Sequence, residues 1–294
     1  MRYRGFSLAE LLVSIAVVGL LASLLLPTLA RSRQATNRTV CQQNLKQLGA
    51  AFRMYAEENK ARYPRMHGDQ TFGHRDKADG CDPDSFTDAA AFSPDTRALF
   101  VDYLTEPALL MCPSAPRGSE RDALGIVHDD GSGRCGHSGE ITRGDESYYY
   151  LGYVLDRVNG SDPVLPGPAV GPGQLVGLMA FLAPVLSNRD PLDDALLDRD
   201  ADLAAVGFGG LGFGNAGRDD VRRLGLGSER LTTLVPSVLP VMWDRVRRAP
   251  AAGVVYNHDP GGCNVLYLDG HVNFTAFASE FPTSPSFINL AAFF

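Results

Sequence analysis

From Leu11 to Ala30 the chain carries no charged residue, and beyond Ala30 the continuous apolar run gives way to a stripe. The run is about 20 residues long, enough for a helix to cross a hydrocarbon core of ~30 Å. The stripe is Cys41, Leu45, Leu48, Phe52 and Tyr55, with spacings of four and three, while Gln42, Gln43, Lys46, Gln47 and Arg53 fill the opposite side. That is one face of an amphipathic helix. A single helix is therefore expected from the apolar run to about Asn59, because Tyr63-Pro64 disfavours helix at that point. Two heptads are too few to make the same stripe a coiled coil.

From Tyr63 onward the pattern predicts an α+β head. Thr96 to Tyr103 reads as a short helix, and Ala108 to Cys112 as a strand closed by Cys112-Pro113-Ser114. Ser147 to Leu155, SYYYLGYVL, is rich in aromatic and β-branched residues and reads as a central strand. Residues 157–230 differ in character: VLPGPAVGPG, an apolar segment Leu175 to Leu186, an acidic run Arg189 to Asp202, and FGGLGFGNAG. They read as an insertion on the head, with helices at Gln174 to Leu186 and Leu192 to Ala205. Leu175 to Leu186, interrupted by Gly177 and Pro184, is too short for a second membrane span. A buried or surface-docked helix is preferred there over an exposed patch for a partner. Near the end, Asp269-Gly270 lies between two strand-like runs and predicts a hairpin over 262–275 with a two-residue type I′ turn. Gly270 supplies the positive φ.

Composition narrows the function classes. With 294 residues, 45% hydrophobic and 21% charged, disordered and collagen-like chains are excluded. Asp and Glu (34) outnumber Lys and Arg (27), and the large C-terminal part has no basic stripe, which argues against nucleic-acid binding. Cys41, Cys81, Cys112, Cys135 and Cys263 form no CxxC pair, so a zinc ribbon or thioredoxin-like motif is unsupported. Disulfides in an oxidising compartment, with one thiol left over, are preferred to buried free thiols. Cys41 with Cys112 is the first candidate pair, since both should face the helix-sheet interface; Cys81 with Cys135 would close the loop-rich region between them.

Three details mark the N-terminus. Glu10 sits at the start of the apolar run, where a carboxylate is kept only if it finds a partner or stays at the headgroups. Pro27 interrupts the helical pattern and should kink or locally melt it. Gly5 ends a short basic leader directly before Phe6. With these residues, Gly5-Phe6-Ser7-Leu8-Ala9-Glu10 and Pro27, the chain resembles the type IV pilin and type II secretion pseudopilin superfamily. A secretory signal peptide is the competing reading, but its apolar region would be shorter and end in a small-x-small site. Arg2 and Arg4 before the run are matched by Arg31, Arg33 and Arg38 after it, so charge alone does not set the orientation.

The resemblance implies a fold and a role. The fold is a pilin-like α+β architecture, a long N-terminal transmembrane and amphipathic helix packed on an antiparallel sheet. The organisation would be a leader 1–5, a transmembrane segment 6–30, a stalk helix 31–60 and an extracytoplasmic head 61–294. A prepilin peptidase would cut after Gly5 and methylate Phe6. Glu10 would neutralise a neighbouring subunit's N-terminal amine as the chain assembles with other pilin or pseudopilin subunits through inner-membrane machinery. The protein would be a single-pass inner-membrane subunit with its head in the periplasm, or part of a surface filament, and not an enzyme.

The segment CQQNLKQLGAAFRMYAEEN also resembles a pilin-like subgroup abundant in planctomycetes, which carries a C-terminal H-x9-DG element. Here ten residues separate His258 from Asp269-Gly270. Asp244, His258, Asp259, Asp269 and His271 could converge on a metal, and some pseudopilins bind calcium in a C-terminal loop. Calcium wants six to eight oxygens, so hydrogen-bonding turn residues are the preferred reading, and no cofactor is expected. Two alternatives remain beside the filament subunit. One gives the head a binding role, toward polysaccharide or a secreted substrate through the glycine-rich segment; the other is a membrane-anchored enzyme using a His258/Asp269 cluster.

Overall fold

In the computed structural model, the described residues are 8–67, 91–99, 102–115, 124–129, 135–141, 147–159, 162, 164–165, 171–186, 194–249, 253–258 and 261–291. One helix, Leu8–Glu58, runs unbroken through Pro27, so no local melting accompanies that residue. Its stripe meets the head as expected: Cys41, Leu45, Leu48 and Phe52 are fully buried, and Tyr55 is half-buried.

The helix lies on a four-stranded antiparallel sheet ordered Val272–Ala276, Gly262–Tyr267, Pro240–Asp244, Tyr148–Tyr150. Because side chains alternate across a strand, the register sorts the residues onto two faces. Met242 stands opposite Tyr150 and Leu266, and Asp244 opposite Tyr148. This face carries Tyr148, Tyr150, Met242 and Leu266 into one core with Cys41, Leu45, Leu48 and Phe52 of the helix. Trp243, opposite Tyr149 and Val265, points the other way, into a second core with Leu175, Leu178, Leu182, Leu203 and Val221. The described residues of 157–230, expected as an insertion, thus help cover the second face of the sheet.

Several expected elements take different forms. Ala108 to Cys112 is not a strand: Pro107–Leu110 forms a 3-10 turn, with Pro107 at its start and Leu109 N–H donating to Glu106 O. A fixed proline φ at the first turn position favours that over an extended chain. The helix expected over Leu192 to Ala205 is a 3-10 turn, Asp194–Asp198, followed by a short strand, Ala201–Asp202, paired with Asp220–Val221. Asp200 draws the chain into that pairing by accepting from the Arg222 side chain and the Arg223 backbone N–H, both at 2.8 Å. Helix is confirmed at Gly173–Leu186, within a residue of expectation. SYYYLGYVL contributes an end strand of the sheet, not a central one, and Gly152 at φ +71° turns the chain away after Tyr150.

The C-terminal hairpin is present with a different turn. Tyr267 N–H donates to His271 O, and Gly270 N–H to Tyr267 O, leaving three residues in the loop. Gly270 has φ +90°, whereas Asp269 is not among the positive-φ residues. This is the three-residue hairpin loop with a left-handed glycine, not the two-residue type I′ turn.

After the helix, the chain is tied down by Tyr63 N–H to Leu224 O at 2.9 Å and Leu226 N–H to Ala61 O at 2.7 Å. Gly225 lies between them, and a Cβ there would collide with the backbone oxygen of Ala61. A backbone oxygen cannot swing aside as a side-chain tip can. Gly225→Ala should therefore destabilise the head by about 1–3 kcal/mol, the usual range for overpacking, as read by chemical denaturation of the solubilised chain. An unchanged midpoint would show that this junction does not hold the helix to the head.

Candidate functional site

Two features stand out, the first being the bare end of the long helix. Its large apolar residues from Leu8 to Leu29 are each more than half exposed. Among the described residues this is the one helix long and apolar enough to cross a membrane. Ser14, Ser23 and Thr28 donate to the carbonyls of Leu11, Leu20 and Leu25, each at 2.8 Å, so their hydroxyls need no water. That suits a lipid or subunit environment, where unsatisfied polar groups cost several kcal/mol. Glu10 lies in the helix's first turn; Gly5 and Phe6 fall outside the described residues.

The second feature is a buried polar cluster where the stalk meets the head. Asp244 ends the all-buried run Pro240-Val241-Met242-Trp243-Asp244 and faces the helix. Its Oδ2 accepts from the Asn264 backbone N–H and from Asn264 Nδ2, both at 2.7 Å. His258 Nε2 lies 3.1 Å from the same oxygen and 3.6 Å from Cys112 Sγ. Cys41 Sγ, on the helix, donates to Cys112 Sγ at 2.6 Å. Cys112 is held in turn by its backbone N–H to Ser147 Oγ at 2.9 Å, and Asn257 Nδ2 donates to Ser147 O at 3.1 Å. All four donor groups are buried, with their atoms within 4.8 Å of one another.

Local charges follow from this geometry. Burial would pull the His258 imidazole down, but the Asp244 carboxylate and the Cys112 sulfur outweigh it and raise its pKa to about 9. The Cys41 thiol is pushed up, because it donates to Cys112 and is buried. Cys112 is pushed down, since the Cys41 hydrogen bond and the His258 ring beside it outweigh burial. Both directions favour a thiolate at Cys112 beside an imidazolium at His258, with the Asp244 side chain behind the ring.

A metal fits this arrangement poorly. Two thiolates about 2.3 Å from a tetrahedral zinc stand about 3.7 Å apart, well beyond the 2.6 Å separation of these sulfurs. Calcium, which takes six to eight oxygens, finds one carboxylate in the cluster. The residues named from the sequence are distributed differently from that expectation. Asp244 and His258 come together, joined by Cys41 and Cys112. Asp269 and His271 pair with each other at 2.6 Å on the exposed hairpin, where His271 stacks on Tyr267. His258 thus bonds to Asp244 and not to Asp269, which removes the basis of a His258/Asp269 catalytic pair. Asp259 and Cys81 lie outside the described residues, as does the side chain of Cys135. Asn264 and Ser147, which anchor the cluster, had no signal in the sequence beyond their neighbours' apolar character.

The prokaryotic N-terminal methylation motif matches residues 1–26. Followed by the long apolar helix, it fits a type IV pilin-like protein. No curated protein and no solved structure matches the chain.

Proposed function

We propose that the chain is a structural subunit of a type II secretion pseudopilus or a type IV pilus-like filament. In this reading prepilin peptidase cuts between Gly5 and Phe6, Phe6 is methylated, and the subunit waits in the inner membrane with its head in the periplasm. The observation that carries the reading is the division of one continuous helix. Residues 8–36 are exposed and largely apolar, whereas from Cys41 onward one face is buried against the head. A helix with a bare apolar half has to be covered by lipid or by copies of itself. The methylation motif ahead of it supports the second fate following the first.

Processing is tested at the N-terminus. Mass spectrometry of the membrane-extracted protein should find methylated Phe6 as the first residue, and Gly5→Leu should leave an uncleaved precursor. A mature chain beginning beyond Ala30 would mean that the apolar run is a signal peptide, and the filament reading would fall.

A further inference from the structure

We propose that Cys41 and Cys112 form a redox latch between the long helix and the head, and that His258 and Asp244 set its potential by stabilising the thiolate of Cys112. Cys41 is the first buried residue along the helix. A bond at this position fixes the line along which the exposed half leaves the head. Its partner sits 71 residues away in sequence, on the segment that follows the Pro107–Leu110 turn. The two sulfurs are about 0.5 Å beyond the ~2.05 Å of a covalent S–S bond, so closure needs almost no rearrangement.

The two thiols are not equivalent. Cys112 accepts the hydrogen bond from Cys41 and lies beside His258 Nε2, whereas Cys41 has no imidazole contact among its hydrogen bonds. Cys112 is also the slightly more exposed of the pair, at 4% against 0%. As the head folds, the Cys112 thiolate attacks an external disulfide, either a protein disulfide or oxidised glutathione, and releases one thiolate. Cys41 then loses its proton and attacks the Cys112 sulfur of the mixed disulfide, expelling the second thiolate. Two cysteine thiols are oxidised and one external disulfide is reduced to two thiols, which take up the two protons. The acid and base around Cys112 matter for the reverse direction. His258, oriented by Asp244, favours the reduced form by holding the thiolate, so the latch stays releasable where a neutral surrounding would lock it.

The test uses the detergent-solubilised full chain, equilibrated in glutathione buffers, trapped by alkylation and mapped by mass spectrometry. A Cys41–Cys112 peptide should appear under oxidising conditions, with Cys263, buried on the other face of the sheet, alkylated only after unfolding. His258→Gln should make the bond harder to reduce by about tenfold, equal to about 30 mV for two electrons. A purely structural histidine predicts the opposite, because a loosened head exposes its disulfide; an unchanged or less negative potential would overturn the positioning role. Should that variant not fold, the wild-type chain still decides. Cysteines that remain alkylatable at oxidising equilibrium, or one equivalent of zinc bound with both thiols reduced, would overturn the latch.

Discussion

A Glu10→Ala chain should be inserted and cut like the wild type and yet form almost no filaments. A carboxylate within an apolar helix costs free energy unless a cation accompanies it, and in the proposed filament the new N-terminal ammonium of a neighbour would be that cation. Removing the carboxylate leaves that ammonium uncompensated at each subunit contact. Breaking one partner of a buried pair costs about 3–5 kcal/mol, and each 1.4 kcal/mol is tenfold. Pelleted or imaged polymer should accordingly fall by about two to three and a half orders of magnitude. Glu10→Gln should fail nearly as badly, because it keeps the shape and loses the charge. The head's thermal melt should not move in either variant, since Cys41 is the first helix residue buried on it. Filaments at normal abundance from Glu10→Ala would sink the proposed assembly contact while leaving membrane anchoring intact.

How much of this was legible in the sequence depends on the range of the interactions that decide each element. The long helix was readable to within a residue at its C-terminal end, because a periodic stripe and Tyr63-Pro64 are local signals. The Gly173–Leu186 helix and the hairpin strands were readable for the same reason. Pro107–Leu110 was misread because a short apolar run does not tell a strand from a tight turn. The Asp194–Asp202 region was misread because its form is set by Arg222 and Arg223, some twenty residues on. The buried cluster was only half visible. Its members come from the helix, the segment after the 3-10 turn, one strand and a position two residues beyond another, Gly253–Tyr256, so no local spacing joins them. The cysteine pair was reachable by asking which cysteines face the helix-sheet interface. Its union with Asp244 and His258 was not, because that depends on the sheet register that turns Asp244 toward the helix.

That register makes Asp244 the most consequential side chain of the head. It is wholly buried and receives three donors, two from Asn264 and one from His258. Asp244→Ala would leave both Asn264 donors without that acceptor, and His258 with the Cys112 sulfur alone beside it. The expected loss is about 3–5 kcal/mol, typical of breaking a buried pair from one side. With the thiols kept reduced, His258 should also give the head a distinctive contribution to its pH dependence. His258 has a pKa of about 9 when folded, above the ~6.5 of an unfolded histidine, so the folded state holds its proton more tightly. Its contribution is complete below about pH 6.5 and is lost as pH rises through about 9. Urea denaturation at intervals from pH 6 to 9.5, in a Cys112→Ser background so that the lowered thiol pKa adds no slope of the opposite sign, should show stability falling above about pH 6.5 with His258 present and staying nearly flat in His258→Gln. If Asp244→Ala costs less than about 1 kcal/mol, the carboxylate does not anchor this junction. If the slope survives in His258→Gln, another group is titrating, and the imidazolium is not what joins the sheet to the stalk.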